Sequence, residues 1–458
     1  MAVFLIHSKR CFIENKFQEA TLYIKDRSIH YVFVGQKRID DVPFTSYGNF
    51  IIMPGIIDAH VHINEPGRTE WEGFDTATQA AAVGGITTLI EMPLNASPVT
   101  TTIDAFRKKK EAAKEKLHVN CGFYGGLIPL NADEIEHLIT FGAFGIKGFL
   151  SHSGIDEFPK VNAEHLKAIA PVLKQYDVPL LLHCELEDGE VLEVQNPKSY
   201  QEYLNSRPQR WENNAIDLAL EIQREFDIKV HIVHLSASES IEKLAYRKSK
   251  TDKLSVETCP HYLFFNSEEI PDETPIFKCA PPIREKKNNG LLWDAIEKGI
   301  IDFIASDHSP APAEIKQLGS GDFFAAWGGI SGLQFTLSVM NTEFKSRGIP
   351  LEKLIPMLTQ KPAEFLGLES QKGFLKKGYD ADIVIWDDTS EYVLTEEIIY
   401  HRHKATPYLG RKLKGRVTDT FVNGCHVVQA SKCINKNKGE LLERNAHKVA
   451  TVNNSIEG

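Results

Sequence analysis

Between residues 50 and 309 the chain carries eight short apolar runs separated by longer stretches, most of them amphipathic. They are FIIMPGIIDAHVH, TTLIEMP, VNCGFYGG, FGIKGFLS, VPLLLHCE, KVHIVHL, LSVETCPHY and IDFIASDHS. Runs of this length read as buried strands, and intervening stretches such as residues 104–116 (DAFRKKKEAAKEK) and 163–176 read as helices. The charges of 104–116, including the basic cluster 107–110, are assigned to solvated helix faces. Eight strand-helix repeats over about 320 residues fit a (β/α)8 TIM-like barrel, whose usual size is roughly 250 residues before insertions. A doubly wound open sheet is the alternative, but no G-x-G-x-x-G follows an early strand, so its dinucleotide-binding form lacks support. Residues 1–52 and 371–433 read as short strands and are expected to pair as one small composite β domain beside the barrel of residues 53–370. Residues 434–458 read as a polar C-terminal tail, open to mobility.

Composition narrows the ligand class. A formal net charge of -10 argues against nucleic acid, whose binders carry a basic surface, and favours a small-molecule substrate. No run reaches the length of a membrane span, and the opening MAVFLI is too short for a signal-peptide core. Seven scattered cysteines without a C-x-x-C pair read as reduced thiols of a cytoplasmic protein.

In such a barrel the active site lies at the C-terminal ends of the strands. His60 and His62 close the first run with the two-residue spacing that sends both side chains to one face. His183 closes the fifth run, His234 the sixth and Asp307 the eighth, and Lys147 lies near the end of the fourth. Unpaired ionisable groups there cost several kcal/mol each, which a shared metal centre would offset. Histidine and carboxylate ligands suit zinc, with cobalt, manganese or iron also accepted, and an open position on such an ion acidifies water for hydrolysis. His231, an odd separation from His234, is expected to face the helices. Lys147 fits a metal cluster only if its charge is changed; otherwise it holds an anion or a salt bridge.

PGIIDAHVHINEPG, GIKGFLSHSG, LLLHCE, IVHLSAS, ETCPHYL, CAPPIR and ASDHSP, in that order, resemble the cyclic amidohydrolases, which include dihydroorotases, hydantoinases with dihydropyrimidinases, and allantoinases. The resemblance implies a two-metal centre held by His60, His62, His183, His234, Asp307 and Lys147, the last as the carbon dioxide adduct N6-carboxylysine. It also implies attack by a metal-bridging hydroxide on a ring amide, with Asp307 as general base and then general acid. A homotetramer is implied as well.

Asn64 stands where dihydroorotases place a carboxylate-binding arginine, and an amide cannot supply that charged fork, though Arg68 lies nearby. His152 stands where hydantoinases and dihydropyrimidinases carry an oxyanion-binding tyrosine; it reads either as a local loop histidine or as a substrate contact. The longer stretches HINEPGRTEWEGFDTATQAAAVGGITTLIEMPLNASP, SHSGIDEFP, AWGGISGLQ and HKATPYLGRKLKGRV are similar to the allantoinase subfamily. That implies opening of the hydantoin ring of allantoin to allantoate, with Asn64, His152, Thr258, Ala280, Pro281, Trp327 and Gly328 as candidate contacts. The adjacent Gly328 and Gly329 serve either close backbone approach or only a turn. Cys259 reads as packing rather than as a nucleophile. A hydantoinase, a dihydroorotase-like enzyme and a non-catalytic scaffold of the same fold are the rival readings, the last weakened because all six ligand types are present.

Overall fold

The computed structural model describes residues 3–189 and 193–444. Eight parallel strands form the barrel: Ile56–Val61, Ile86–Glu91, Asn120–Phe123, Ile146–Phe149, Leu180–His183, Val230–Ile232, Leu254–Thr258 and Phe303–Ile304. A two-residue piece, Gly125–Gly126, continues the third strand toward the fourth. The ring closes where Val61 bridges His308 and the His62 amide donates to the His308 carbonyl at 2.8 Å. Almost every residue of these strands is buried, as a sheet covered on both faces requires, and hence the runs are apolar without alternation.

Helices such as Ile103–Ala113, Ala163–Tyr176, Gln209–Phe226 and Thr336–Arg347 return the chain between strands or cover the barrel. In Gln209–Phe226 the buried Ala215, Ile216, Ala219, Ile222 and Gln223 recur at helical spacing and face the strands. Each large aliphatic side chain buried this way contributes about 1.5–3 kcal/mol. The short helix Gln360–Leu366 lies against the first strand and sends Phe365 against His231 and Phe303.

The two ends of the chain meet in a nine-stranded sheet. Ile51–Pro54 lies at its middle, parallel to Val3–Ile13 and antiparallel to Ile383–Val393, so the segment leading into the first barrel strand is anchored on both sides. This is the barrel with an attached β layer that the run pattern suggests.

Of the polar tail, residues 445–458 lie outside the described residues. Residues 439–444 are hydrogen-bonded to the barrel. The third barrel strand has a free edge, and there the Cys121 amide donates to the Glu440 carbonyl while the Leu442 amide donates to the Cys121 carbonyl. Buried backbone groups need partners, and this segment supplies them despite its polar composition.

Candidate active site

His60, His62 and Asp307 converge where the first and last strands meet. The Nε2 atoms of His60 and His62 lie 3.2 and 3.4 Å from Asp307 Oδ1, and all three residues are buried. Asp58 fixes the junction by accepting from the main-chain amides of both His60 and Ser306. Asp307 and His234 hold left-handed backbone, with φ of 45° and 38°, which non-glycine residues adopt only where the surroundings enforce it. The other ring nitrogens of the pair are already engaged. His60 Nδ1 pairs with Glu257 Oε1, and His62 Nδ1 faces the Leu94 carbonyl at 3.3 Å, which leaves both Nε2 atoms pointing toward Asp307. Burial pushes the Asp307 carboxyl up, but the imidazoles of His60, His62 and His234 outweigh it and hold it well below the usual range.

His183 and His234 form the neighbouring group. His183 Nδ1 and His234 Nε2 stand 3.0 Å apart, one from the end of the fifth strand and the other from just beyond the sixth. His183 Nε2 is held by Glu185 at 2.8 Å, and Glu185 in turn by Arg207. Burial would raise the Glu185 carboxyl, but Arg207 and His183 bring it down to about 2. Phe149 stacks on the His183 ring at 4.4 Å.

Lys147 is fully buried, and its Nζ has no hydrogen-bond partner among the described residues. Burial pushes its ammonium down to about 8, against the raising effect of Asp307 and Glu257. Burial is also the main reason His60, His183 and His234 titrate below the usual histidine range, and the Lys147 charge adds to it at all three. The amine therefore sits among both histidine groups. All six residues expected as ligands are brought to one end of the barrel, and His60, His62 and Asp307 offer ligand atoms within 4.8 Å of one another.

Above them lies a cavity lined by His60, His62, His183, His234 and Asp307 together with Asn95, Phe149, His152, Ser153, Ala280, Ser309, Trp327 and Gly328. It adjoins an outer vestibule that shares His152, Ser153, Ala280, Trp327 and Gly328. Ala280, Trp327, Gly328 and His152 thus reach the cavity, and His152 Nδ1 also accepts from the Gly154 amide, the local bond of a loop histidine. Asn64, Thr258 and Pro281 are outside its lining. Asn64 is buried and donates to the Pro310 carbonyl, Thr258 donates to the Leu235 carbonyl, and the Pro281 carbonyl accepts from Tyr262. Gly329 permits a close approach of chain segments: a Cβ there would lie 2.4 Å from the Ser309 carbonyl oxygen.

Several contributors escaped the sequence. His231 does not face the helices that connect the strands; the helix packed on it is Gln360–Leu366, through Phe365. The imidazole stacks on Phe303 inside the barrel and binds Glu257 at 3.1 Å, because the strand ends at Ile232 and His234 lies beyond it, where alternation no longer applies. Lys109, expected on a solvated face, is buried and pairs with Glu91 at 2.9 Å, while Glu91 accepts from the Ile63 amide between the two first-strand ligands and the next loop. Its signal was Glu91 itself, a carboxylate in an apolar run that needs a cation. Lys316 and Lys278, both buried, grip the cavity wall. Lys316 Nζ donates to the carbonyls of Lys278, Trp327 and Gly329, and Lys278 Nζ to those of Phe324 and Ala326. Nothing in the local pattern distinguishes these lysines from surface ones.

A barrel with histidines from three strands, a buried lysine and an aspartate at one mouth defines a class of hydrolases, and the match to the amidohydrolase family model spans residues 51–427. The chain belongs to the amidohydrolase family. Among its relatives, it is 43% identical over 442 residues to a probable allantoinase of Oryza sativa subsp. japonica, covering 92% of this chain and 87% of the relative. It is 44% identical over 401 residues to the allantoinase of Arabidopsis thaliana, covering 84% and 79%. Among solved structures it is similar to the L-hydantoinase (dihydropyrimidinase) from Arthrobacter aurescens, with a TM-score of 0.90, 30% identity and coverage of 96% and 100%.

Proposed function

We propose that this chain is an allantoinase: water is added across a ring amide of allantoin, the C–N bond breaks, and allantoate leaves. The observation that carries the reading is the cavity itself. It is lined by the four histidines and the aspartate of the cluster, and among the described residues no arginine lines it. Arg68, which could have bound a substrate carboxylate, is committed to the Asn95 carbonyl and Glu157, and Arg207 in the vestibule is committed to Glu185. A neutral ureide ring suits such a wall better than dihydroorotate does. The allantoinases among the relatives point the same way.

The residues fit a pair of divalent ions. Converging imidazole nitrogens, a shared carboxylate and a buried amine with no partner are a donor set that bound cations would satisfy. His60, His62 and Asp307 would hold one ion and His183 and His234 the other, with Lys147, once its amine has added to carbon dioxide as a carbamate, shared between them. Zinc is favoured by the donor types, although cobalt, manganese or iron are compatible with them. When bound, the ions acidify a water and polarise the scissile carbonyl. Asp307 then takes the proton of that water on its carboxylate and returns it to the departing ring nitrogen, which leaves poorly unless protonated. Trp327, Gly328, Ala280 and His152 shape the wall against which the ureido arm rests.

The homotetramer is carried over from the family resemblance, and light scattering tests it. All seven cysteines are unpaired, which supports a reducing compartment, and among the described residues no helix is long and apolar enough to cross a membrane.

The test is a substrate panel: protein purified with divalent metal and bicarbonate, offered allantoin, hydantoin, dihydrouracil and dihydroorotate. Turnover of allantoin well above the others is expected. Turnover only of another ring would overturn the assignment, and no turnover of any ring would favour a scaffold.

A further inference from the structure

Asp307 belongs to a second trio. One donor atom from each of Cys259, His261 and Asp307 lies within 4.8 Å of the others, and all three residues are buried. Cys259 and His261 flank Pro260 immediately after the seventh strand, so the chain itself places thiol and imidazole next to the catalytic carboxylate. One ring nitrogen of the trio is without a partner: His261 Nε2 is buried with no hydrogen bond among the described residues. An imidazole nitrogen left unpaired in a dry interior is costly, and native structures seldom leave one without a reason.

We propose that Cys259, His261 and Asp307 form an additional, inhibitory binding site, sharing Asp307 with the active centre, for a thiophilic divalent cation of the zinc and cadmium class. Sulfur, nitrogen and carboxylate oxygen are the ligand types such ions prefer, and three protein ligands leave a fourth position for water. On binding, the Cys259 thiol gives its proton to water and forms the sulfur-metal bond, while His261 binds through an imidazole nitrogen; no electron transfer is involved. The consequence follows from the shared residue. With one Asp307 oxygen on an ion of the active centre and the other engaged by this ion, neither is left to carry a proton to the leaving nitrogen, so excess cation stops turnover without removing the ions of the active centre. Activity loss rests on the reading of Asp307 given under Proposed function, whereas cation binding does not.

The experiment uses the metal-loaded holoenzyme and added cadmium. Bound metal is counted after equilibrium dialysis, the ultraviolet thiolate-to-cadmium absorption is followed, and allantoin turnover is measured on the same samples. The expected result is one equivalent beyond the holoenzyme's own, an absorption that rises with it, and turnover falling by about 100-fold, the share a general acid-base group commonly carries. Cys259→Ser and His261→Gln should each lose the extra equivalent and the absorption. Each should also keep its own cadmium-free rate when cadmium is added. No extra equivalent in the wild type, or an equal equivalent and absorption in Cys259→Ser, overturns the site. Binding without loss of turnover overturns the inhibitory role. If allantoin is not the substrate, the metal count and absorption still decide the site. Should Cys259→Ser fold poorly, judged by circular dichroism, His261→Gln decides it.

Discussion

Glu257 fixes His60: its Oε1 lies 2.5 Å from His60 Nδ1, deep in the barrel, while its other oxygen is 3.1 Å from His231 Nε2. This pairing sets the proton on Nδ1 and leaves Nε2, the atom facing Asp307, free to bind a cation. Burial would raise the Glu257 carboxyl, but His60 and His231 bring it down to about 2, so it is a charged anchor. Glu257→Gln keeps the shape and removes the charge. It is expected to lower metal affinity and turnover by roughly 10–100-fold, read by metal content after dialysis and by steady-state rate. Unchanged metal retention would contradict the anchoring role.

Lys147→Ala should abolish turnover and reduce bound metal, since the amine that carries the carbamate is gone. A small carboxylic acid added to that variant should restore part of the rate by occupying the space. Full metal content and full rate in the variant would rule out a bridging lysine.

Lys316 holds three carbonyls at once, which an apolar residue of the same length cannot do. Lys316→Met should let the Trp327–Gly328 wall shift. A misplaced wall raises KM for the ureido-bearing ring by about tenfold, with a smaller effect on kcat. Equal loss in both parameters, or a comparable loss for unsubstituted hydantoin, would show that the lysine does not shape the wall.

Lys109 and Glu91 form a buried pair whose two side chains are almost wholly inaccessible. Lys109→Met leaves the carboxylate alone in the interior and should destabilise the fold by about 3–5 kcal/mol, measured by urea unfolding. The double variant Lys109→Met with Glu91→Gln should recover much of that loss.

Much of the centre was legible because its residues break the apolar strands that they end. His60, His62, Lys147, His183, His234 and Asp307 each interrupt a run at a place where an ionisable group needs a reason. Their supporting partners carry no such signal: Glu257, Glu185 and Lys316 stand out by nothing in their local pattern, and Lys109 reads as one charge of a solvated helix face. Parity misplaced His231 because alternation holds only within a strand, and the sixth ends before His234. Asn64 and Asn95 show the same limit in loops. Both hold positive φ, but only Asn95 reaches the cavity, a difference set by tertiary packing and not by residue type.

Asp388 gives a pH prediction away from the centre. Burial pushes its carboxyl up, but hydrogen bonds from Arg10 and Lys345 outweigh this and hold it below the ordinary value of 3.8. A carboxyl lowered on folding adds stability above its unfolded pKa, and that stability is lost as pH falls through the lowered folded value. Asp388→Asn should therefore melt below the wild type at neutral pH, and the gap should close in strong acid. A gap independent of pH would mean that charge is not what the residue contributes.

The most direct measurement is anomalous X-ray diffraction from crystals of the metal-loaded enzyme. Two metal peaks are predicted, one among His60, His62 and Asp307 and one beside His183 and His234, with density extending Lys147 Nζ into a carbamate between them. A single peak beside an unmodified Lys147, or peaks that bypass these residues, would contradict the account.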